Sequence, residues 1–400
     1  RKMLRDGKAK CIKRTPFTIK LLYQTTTYTQ TITLGVDTGS SHIGSAAVDN
    51  KGNVVYLSEV EIRNDVSDKM KQRTKYRRNR RNRKTRYRSA RWLNRKNSIK
   101  TGRFSPTMVS KLHSHEKEIL FAKSLLPISD VILETATFNP HALKNPAVLK
   151  NKWLYQRGTN YGFANTKAFV LDRDSYTCRH CKGKSKDSRL EVHHIIFRSN
   201  GGSDEKENLI TLCKTCHDKV HSGEIKLHGG KVKGQLKHAT QMNSIRKQLL
   251  LQNPEVHETF GFITKEHRQF MGLPKEHYYD AVAIANLNNL EKYGMLSVDV
   301  KTPLLRKKCV SDGDYQQTKG VRSEQPIQTS KIMGFRKFDK VEYAGQEFFI
   351  KGRMSTGYAI LMGINGMKIP LKPIPKFDRM KRLSARKAWI IQQEIIQNIA

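Results

Sequence analysis

Runs of β-branched and aliphatic residues that end on an acidic residue predict two strands in the first third of the chain. Residues 31–36 form one such run, which ends on Asp37 and is followed by a second apolar run at 43–48. Residues 131–133 form another, which ends on Glu134. Runs of this kind favour β-strands. An Asp-x-Gly turn between strands is common, so Asp37 alone also permits a purely structural interpretation.

Helical patterns predict the elements that would pack on these strands. Residues 276–285 combine His277 and Asp280 with an apolar remainder, and the spacing of three places both side chains on one helix face. Residues 168–174 and 240–251 also have helical character. A lone His-x-x-Asp is usually a surface pair or a cap. A functional role is favoured here because the His-x-x-Asp pair follows two strand-end acids.

The two ends of the chain have a different pattern. Residues 1–33 contain short strand candidates in a basic context, which predicts a small β element. In the last hundred residues, regularly spaced glycines separate short alternating runs, which predicts a small β-rich domain without a catalytic set. Because Arg1 is not an initiator residue, we expect the natural chain to begin earlier.

Composition narrows the class of partner. The 400 residues include 75 Lys plus Arg against 35 Asp plus Glu, a formal net charge of +40. A charge of this size predicts a polyanionic partner. The length suggests two to four domains at roughly 150 residues each. The sequence has neither an apolar run of about 18 residues nor a signal peptide, so we expect a soluble protein of the cytoplasm with no membrane partner.

Much of this charge lies in one segment. Residues 69–96 contain 15 Lys or Arg, no acid, and no Pro or Gly, which favours a helix of roughly 42 Å at ~1.5 Å per residue. A disordered basic tail is the alternative. The residues predicted to bind nucleic acid are Arg77, Arg78, Arg80, Arg81, Arg83, Lys84, Arg86, Arg88, Arg91 and Arg95.

Four cysteines form two Cys-x-x-Cys pairs. Cys178 with Cys181, and Cys213 with Cys216, offer four thiolates, the donor set of a structural Zn²⁺ site. The remaining two, Cys11 and Cys309, are predicted to be free thiols. A plain zinc ribbon with spare surface histidines is the structural alternative.

Histidines among and beyond these cysteines form a second constellation. His193, His217 and His221 offer three imidazoles for another metal ion, and the neighbouring His194 could deprotonate water. Asn208 could hold the intervening loop. Residues 170–222 resemble the zinc-stapled HNH (ββα-metal) nuclease motif. The resemblance implies that His194 is the general base, that Asn208 orients it, and that His193, His217 and His221 hold a catalytic Mg²⁺.

The scattered acids form a third pattern. A strand ending on Asp, a strand ending on Glu, and a helix with His-x-x-Asp resemble, in that order, the RuvC nucleases of the RNase H-like fold. The resemblance implies that Asp37, Glu134 and Asp280 hold two Mg²⁺ ions, which carboxylates suit. It implies that His277 assists in activating water.

The order of these parts resembles a known family. An arginine-rich segment follows the first RuvC segment, and an HNH module separates the second from the third. This order is similar to that of type II CRISPR effector nucleases, and the size matches their compact relatives, the IscB family. The implied fold is α/β multidomain, an RNase H-like (RuvC) core split by a zinc-bound HNH domain, with an arginine-rich bridge helix and a small C-terminal β-rich domain. The Pro-Leu-Met-Pro signature of the IscB N-terminal domain is absent here.

The resemblance also divides the chain into seven parts. These are a remnant of an N-terminal basic β domain (1–30), RuvC segment I (31–64), the bridge helix (65–100), RuvC segment II (101–158), the HNH domain (159–228), RuvC segment III (229–298) and a C-terminal domain that reads a target-adjacent motif (299–400).

The implied activity is RNA-guided cleavage of double-stranded DNA. The family binds a guide RNA, the transposon-encoded ωRNA, and we expect a monomeric ribonucleoprotein. We expect the HNH site to cut the guide-paired strand and the RuvC site to cut the displaced strand. Two alternatives remain open from the residues alone: an RNA-independent homing or resolvase-type HNH/RuvC nuclease, and a nucleic-acid-binding protein without catalysis.

Overall fold

The computed structural model describes residues 2–25, 28–84, 104–158, 160–229, 236–294, 298, 300–311 and 331–396. The chain divides into two compact units. We call Arg1–Ala136 with Met242–Ala400 the sheet unit, and Thr137–Gln241 the insert unit. The insert unit therefore begins earlier than the predicted HNH domain, because it includes residues 137–158, which the sequence pattern assigned to RuvC segment II.

The secondary structure is mixed. The strands are β1 (Ala9–Arg14), β2 (Phe17–Leu21), β3 (Ile32–Thr38), β4 (His42–Asp49), β5 (Val54–Glu61), β6 (Asp130–Thr135), β7 (Leu190–His194), β8 (Leu209–Cys213), β9 (His257–Phe260), β10 (Leu304–Cys309), β11 (Lys340–Tyr343), β12 (Gln346–Arg353), β13 (Ala359–Met362), β14 (Lys381–Ser384) and β15 (Trp389–Glu394). The helices are α1 (Lys2–Arg5), α2 (Val66–Lys84), α3 (Pro106–Lys123), α4 (Pro140–Lys144), α5 (Thr166–Arg173), α6 (Lys214–Ser222), α7 (Lys237–Gln252), α8 (Gly261–Phe270), α9 (His277–Ala285) and α10 (Leu287–Tyr293).

A seven-stranded sheet organises the sheet unit, in the order β15-β10-β5-β4-β3-β6-β9. Strand β3 runs antiparallel to β4 and parallel to β6, and β6 runs parallel to β9. The apolar run that predicted β3 is buried from Ile32 to Asp37, as expected for an interior strand covered on both faces. Both predicted strand-end acids thus lie on neighbouring strands.

Helices cover both faces of this sheet. On one face, Ile119 and Ala122 of α3 join a core with Leu34 and Val36. On the other face, α9 packs Ala281, Val282 and Ala285 against apolar residues of β4 and β5. Successive residues of a strand point to opposite faces, so the near-continuous apolar character of β3 and β4 serves two cores at once. The result is a three-layer α/β/α arrangement.

A buried ion pair links β10 to α3 on one face of the sheet. Lys307 of β10 and Glu118 of α3 are both fully buried, and their charged groups lie 2.7 Å apart. Ser45 and Tyr56 donate hydrogen bonds to the same carboxylate, at 2.6 and 2.7 Å. Burial lowers the pKa of Lys307 to about 8. Removing one partner of such a pair leaves an uncompensated buried charge, which costs roughly 3–5 kcal/mol.

The C-terminal region forms a second, four-stranded sheet in the order β13-β12-β11-β14. Its core includes Val341, Ile350 and Leu361, so the predicted β-rich character is present. The predicted boundary at residue 299 differs from the structure, because β10 and β15 pair with each other and belong to the seven-stranded sheet. The buried Leu304 and Leu305 of β10 pack into the two cores of that sheet.

The basic segment begins as the predicted helix. Helix α2 runs to Lys84, with Arg77 and Arg78 exposed on it. Arg80, Arg81, Arg83 and Lys84 lie on its last turns, whereas Arg86, Arg88, Arg91 and Arg95 lie outside the described residues. No helix in the described ranges is both long and apolar enough to span a bilayer.

Candidate active sites

The first candidate site lies where β3 and β6 end side by side. The two strands are parallel, and Asp37 and Glu134 occupy directly paired positions in the register. The Thr38 hydroxyl donates a 2.6 Å hydrogen bond to the Glu134 carbonyl oxygen, which links the two strand ends. Two carboxylates that are 97 positions apart in sequence therefore share one edge of the sheet.

Helix α9 completes this site by approaching the sheet closely. A Cβ atom added to Gly44 would lie 1.9 Å from the His277 carbonyl oxygen, and one added to Gly35 would lie 2.3 Å from that of Ala281. Only glycine leaves room for the helix backbone at these two positions. The first turn of α9, with His277 and Asp280, is thereby held over β3 and β4. The two glycines, each inside an otherwise apolar strand, are a sequence feature that the strand prediction left unused.

We predict that Gly44→Ala destabilises the sheet unit by about 2 kcal/mol, because the methyl group meets backbone that cannot move aside. Urea unfolding followed by tryptophan fluorescence measures the change. The matched control is Gly158→Ala, since a Cβ atom there has nothing within 4 Å. Equal stability of the two variants would show that α9 does not depend on this close approach.

A histidine and an arginine face the acids of this site. His277 donates from Nδ1 to Asp37 Oδ2 at 2.6 Å, and this hydrogen bond raises the pKa of the imidazole. Arg268 Nε lies 2.6 Å from Asp280 Oδ1, in a largely buried ion pair. The ring of His42 stacks on His277 with centroids 5.5 Å apart. Sequence patterns did not point to Arg268 or His42, because neither belongs to a local motif.

The carboxylates of the site perturb one another. Burial and then the charge of Asp37 raise the pKa of Glu134 to about 7. Burial and Asp37 also raise the pKa of Asp280. Like charges that are gathered in a half-buried site disfavour ionisation. The sheet and α9 have thus collected an excess of negative charge that a divalent cation would relieve.

The donor set fits Mg²⁺. Carboxylate oxygens are the ligands that hard cations prefer. Among the described residues, the groups whose potential ligand atoms all lie within 4.8 Å of one another are a cysteine and a histidine cluster, not these acids.

The raised pKa of Glu134 predicts a pH effect in metal-free protein. The folded-state pKa lies above the unfolded value, so the contribution of this carboxyl group to the free energy of unfolding is largest below pH ~4.5 and is lost as the pH rises towards about 7. We expect Glu134→Gln to increase the free energy of unfolding by about 2 kcal/mol at pH 8 and by little at pH 5. Urea unfolding in chelator at both pH values tests this. An equal difference at the two pH values would contradict the assignment.

The second candidate site is in the insert unit, on a ββα motif made of β7, β8 and α6. Strands β7 and β8 pair antiparallel from Leu190–Cys213 to His194–Leu209, and α6 begins directly after Cys213. Helix α5 precedes them, and the Thr211 backbone NH donates a 2.9 Å hydrogen bond to Oδ2 of Asp174, the residue that follows α5. Every predicted histidine and cysteine ligand of this region lies on or beside these elements.

The four cysteines Cys178, Cys181, Cys213 and Cys216 come together as one cluster, with all sulfur atoms within 4.8 Å of one another. The Cys181 and Cys213 sulfurs are 3.8 Å apart. Tetrahedral Zn²⁺ with Zn–S bonds of about 2.3 Å separates sulfurs by about 3.8 Å, so the cluster fits a zinc ion. Hydrogen bonds from Ser185 lower the pKa of Cys181 to about 5, which favours the thiolate.

The histidines His193, His217 and His221 form the second cluster, again with ligand nitrogens within 4.8 Å of one another. Their ring centroids are 4.6–5.0 Å apart. The buried Nδ1 of His193 has no hydrogen-bond partner among the described residues. Burial, His217 and His221 lower the pKa of His193, which favours its neutral imidazole form. Imidazoles suit a borderline divalent ion such as Zn²⁺ better than Mg²⁺.

His194 lies beside this cluster and is held by an acid that the sequence analysis missed. Its Nε2 donates to Asp204 Oδ1 at 2.7 Å, which leaves Nδ1 as the acceptor nitrogen. Arg198 pairs with the same carboxylate at 2.7 Å. Asp204 is exposed and follows a glycine pair, so no spacing rule singled it out.

Asn208 holds the loop between the strands rather than the His194 ring. Its Oδ1 accepts from the Ile196 backbone NH at 2.9 Å, and its Nδ2 donates to the carbonyl oxygens of Ile196 and Ser203 at 3.1 and 2.8 Å. The Asn208 carbonyl oxygen also accepts from the Ile195 NH at 2.8 Å. Because Ile195 follows His194 directly, Asn208 fixes the backbone that carries this histidine.

Comparison with known proteins identifies two regions of the chain. The RRXRR protein family model matches residues 1–158, and the HNH endonuclease model matches residues 178–223. Anaredoxin of Nostoc sp. is 41% identical over 58 residues, which cover 14% of this chain and 74% of anaredoxin. The type IV methyl-directed restriction enzyme EcoKMcrA of Escherichia coli is 37% identical over 62 residues, which cover 14% of this chain and 22% of that enzyme.

A solved structure of Streptococcus thermophilus Cas9 in complex with the AGAA PAM is also similar, with a TM-score of 0.37 and 13% identity. The match covers 65% of this chain and 32% of that Cas9 chain. The chain thus spans less than a third of both the restriction enzyme and Cas9. The chain therefore joins an RRXRR region to an HNH endonuclease domain, and it is a metal-dependent endonuclease whose order of parts resembles that of the IscB family.

Proposed function

We propose that this protein is an RNA-guided endonuclease that cuts both strands of a DNA duplex. One observation carries the proposal: a strongly basic chain places the acids Asp37, Glu134 and Asp280 near one another in the sheet unit and gathers a histidine cluster in the insert unit. A duplex has two strands to be cut, and two independent sites supply one cut each. In this proposal the histidine site cuts the guide-paired strand, and the carboxylate site, a RuvC site, cuts the displaced strand.

In the carboxylate site, Asp37, Glu134 and Asp280 would hold two Mg²⁺ ions. When bound, the ions supply charge stabilisation for the attacking and leaving oxygens of a phosphodiester. His277 keeps its Nδ1 hydrogen on Asp37, so Nε2 is the nitrogen that exchanges a proton with water. Arg268 neutralises Asp280 and limits the repulsion among the acids.

In the histidine site, His194 is the general base. Asp204 accepts its Nε2 hydrogen, so the lone pair on Nδ1 takes the proton from the attacking water. His193, His217 and His221 would hold one divalent ion, which supplies charge stabilisation at the leaving oxygen. Asn208 positions the loop that carries the base. The four cysteines would hold a structural Zn²⁺ ion that fixes the start of α6.

The high positive charge supports guidance by RNA, because charge explains binding to nucleic acid but not the choice of a sequence. A basic surface gives non-specific binding of roughly 10⁻⁴ to 10⁻⁶ M at physiological salt, which selects no sequence. Base pairing with a guide supplies selection while the protein holds the backbone. The exposed Arg77 and Arg78 on α2 are suited to such backbone contacts.

Purification from cells that carry the natural locus tests this proposal. We expect a discrete RNA to co-purify, and cleavage to move to a new site when the guide portion of that RNA is changed. Cleavage at one fixed site, with no dependence on RNA, would instead favour a homing or resolvase-type nuclease.

A further inference from the structure

A second kind of surface lies within the sheet unit, on residues that belong to neither candidate site. A pocket of about 380 Å³ opens between the β1–β2 hairpin, α3 and the segment that connects the four-stranded sheet to β15. This volume is in the range of small-ligand pockets, roughly 300–1,000 Å³. None of the residues placed in the carboxylate site lines it.

The pocket is lined by positive charge. Its walls contain five basic residues and no acidic residue, namely Lys13, Lys117, Lys340, Arg386 and Lys387. Lys340 is paired with Glu347, at 2.6 Å. Lys13 and Lys387 line the same pocket, so an anion bound there would offset the repulsion between their ammonium groups. Burial and then the charge of Lys387 lower the pKa of Lys13.

Aromatic rings also line the pocket, and two of them contact its ammonium groups. Lys13 Nζ lies 4.5 Å from the centroid of Phe121, and Lys117 Nζ lies 4.0 Å from that of Trp389. These cation–π contacts hold both ammonium groups at the pocket wall. The half-buried Phe338 also lines the pocket. Rings interleaved with cations are the surface that nucleic-acid-binding proteins use for single strands.

We propose that this pocket binds one unpaired nucleotide of a bound nucleic-acid strand, with its phosphate between Lys13 and Lys387 and its base against Phe338. Charge alone would serve any polyanion, whereas an aromatic wall suits the planar face of a base. The strand is RNA or DNA, because both present this chemistry. The site is distinct from the two cleavage sites and does not depend on guided cleavage.

Photocrosslinking of the full chain tests the proposal. Inactive protein carrying Asp37→Asn and His194→Ala is irradiated with a 15-nucleotide oligouridylate or oligothymidylate, and crosslinked peptides are identified by mass spectrometry. We expect a crosslink at Phe338 or Phe121. Lys13→Gln with Lys387→Gln should lower its yield about fivefold or more, and Phe338→Leu should lower it by a similar factor.

The control removes the same charge elsewhere in the C-terminal region, with Lys368→Gln and Lys372→Gln, which are exposed and outside the pocket. This double variant should keep the crosslink. A crosslink only with oligouridylate assigns the pocket to RNA, and one only with oligothymidylate assigns it to DNA. Crosslinks confined to other segments, or equal loss in the control, would overturn the proposal. Cleavage assays on protein with active sites intact separate this result from failure of the nuclease function.

Discussion

Asp37→Asn should reduce cutting of the displaced strand by about 10³-fold and leave cutting of the guide-paired strand unchanged. The substitution removes the negative charge of a proposed metal ligand and weakens its charge-assisted hydrogen bond with His277. A loss of several kcal/mol in charge stabilisation corresponds to this factor. His194→Ala should do the reverse, lowering cutting of the guide-paired strand by about 10²–10⁴-fold. A duplex labelled on both strands reports the two cuts in one reaction.

Matched controls exist for each change. Asp130→Asn removes the same charge at the opposite end of β6, four residues from Glu134 and so roughly 13 Å away. His180→Ala removes an exposed imidazole from the insert unit. Both controls should cut both strands normally. If either active-site substitution abolished both cuts, the assignment of two independent sites would be wrong.

Cys213→Ser should release one zinc ion per chain and unfold the ββα motif. Cys213 is buried, joins β8 to α6, and contributes one of the four clustered sulfurs. Structural zinc sites in small domains are worth roughly 10–16 kcal/mol, so the core around Leu212 and Val220 cannot compensate for its loss. Elemental analysis measures the zinc, and limited proteolysis locates the unfolded segment.

The control for this change is Cys11→Ser, which alters an exposed thiol outside the cluster. It should retain zinc and resist proteolysis like the unchanged protein. Full zinc content in Cys213→Ser would mean that the cysteines are not the zinc ligands.

Local sequence rules were sufficient wherever the chemistry lies on one element or at one spacing. The run that ends on Asp37 predicted β3, and the Cys-x-x-Cys and histidine spacings predicted both clusters of the insert unit. His277 and Asp280 share a face because helix geometry requires it. Tertiary contacts alone brought in Arg268 and Asp204, so no local pattern could have singled them out.

The polar sequence of one strand does not reveal that the strand is buried. The sequence of β10 is Leu-Leu-Arg-Lys-Lys-Cys, which is typical of an exposed edge, yet Lys307 within it is fully buried. Its burial depends on Glu118, which lies 189 positions earlier in the chain. The predicted boundary at 299 differs from the structure for the same reason. No local sequence pattern indicates that a strand pairs with a sheet formed much earlier in the chain.

The position of β10 and β15 has a practical consequence for building chimaeras. The four-stranded sheet interrupts the chain between these two adjacent strands, and the Val310 NH donates to the Ala388 carbonyl oxygen at 2.9 Å where they meet. Both ends of the interruption therefore sit side by side. A graft of this region from another nuclease needs two junctions, at about these residues, whereas truncation near residue 299 would strip two strands from the larger sheet.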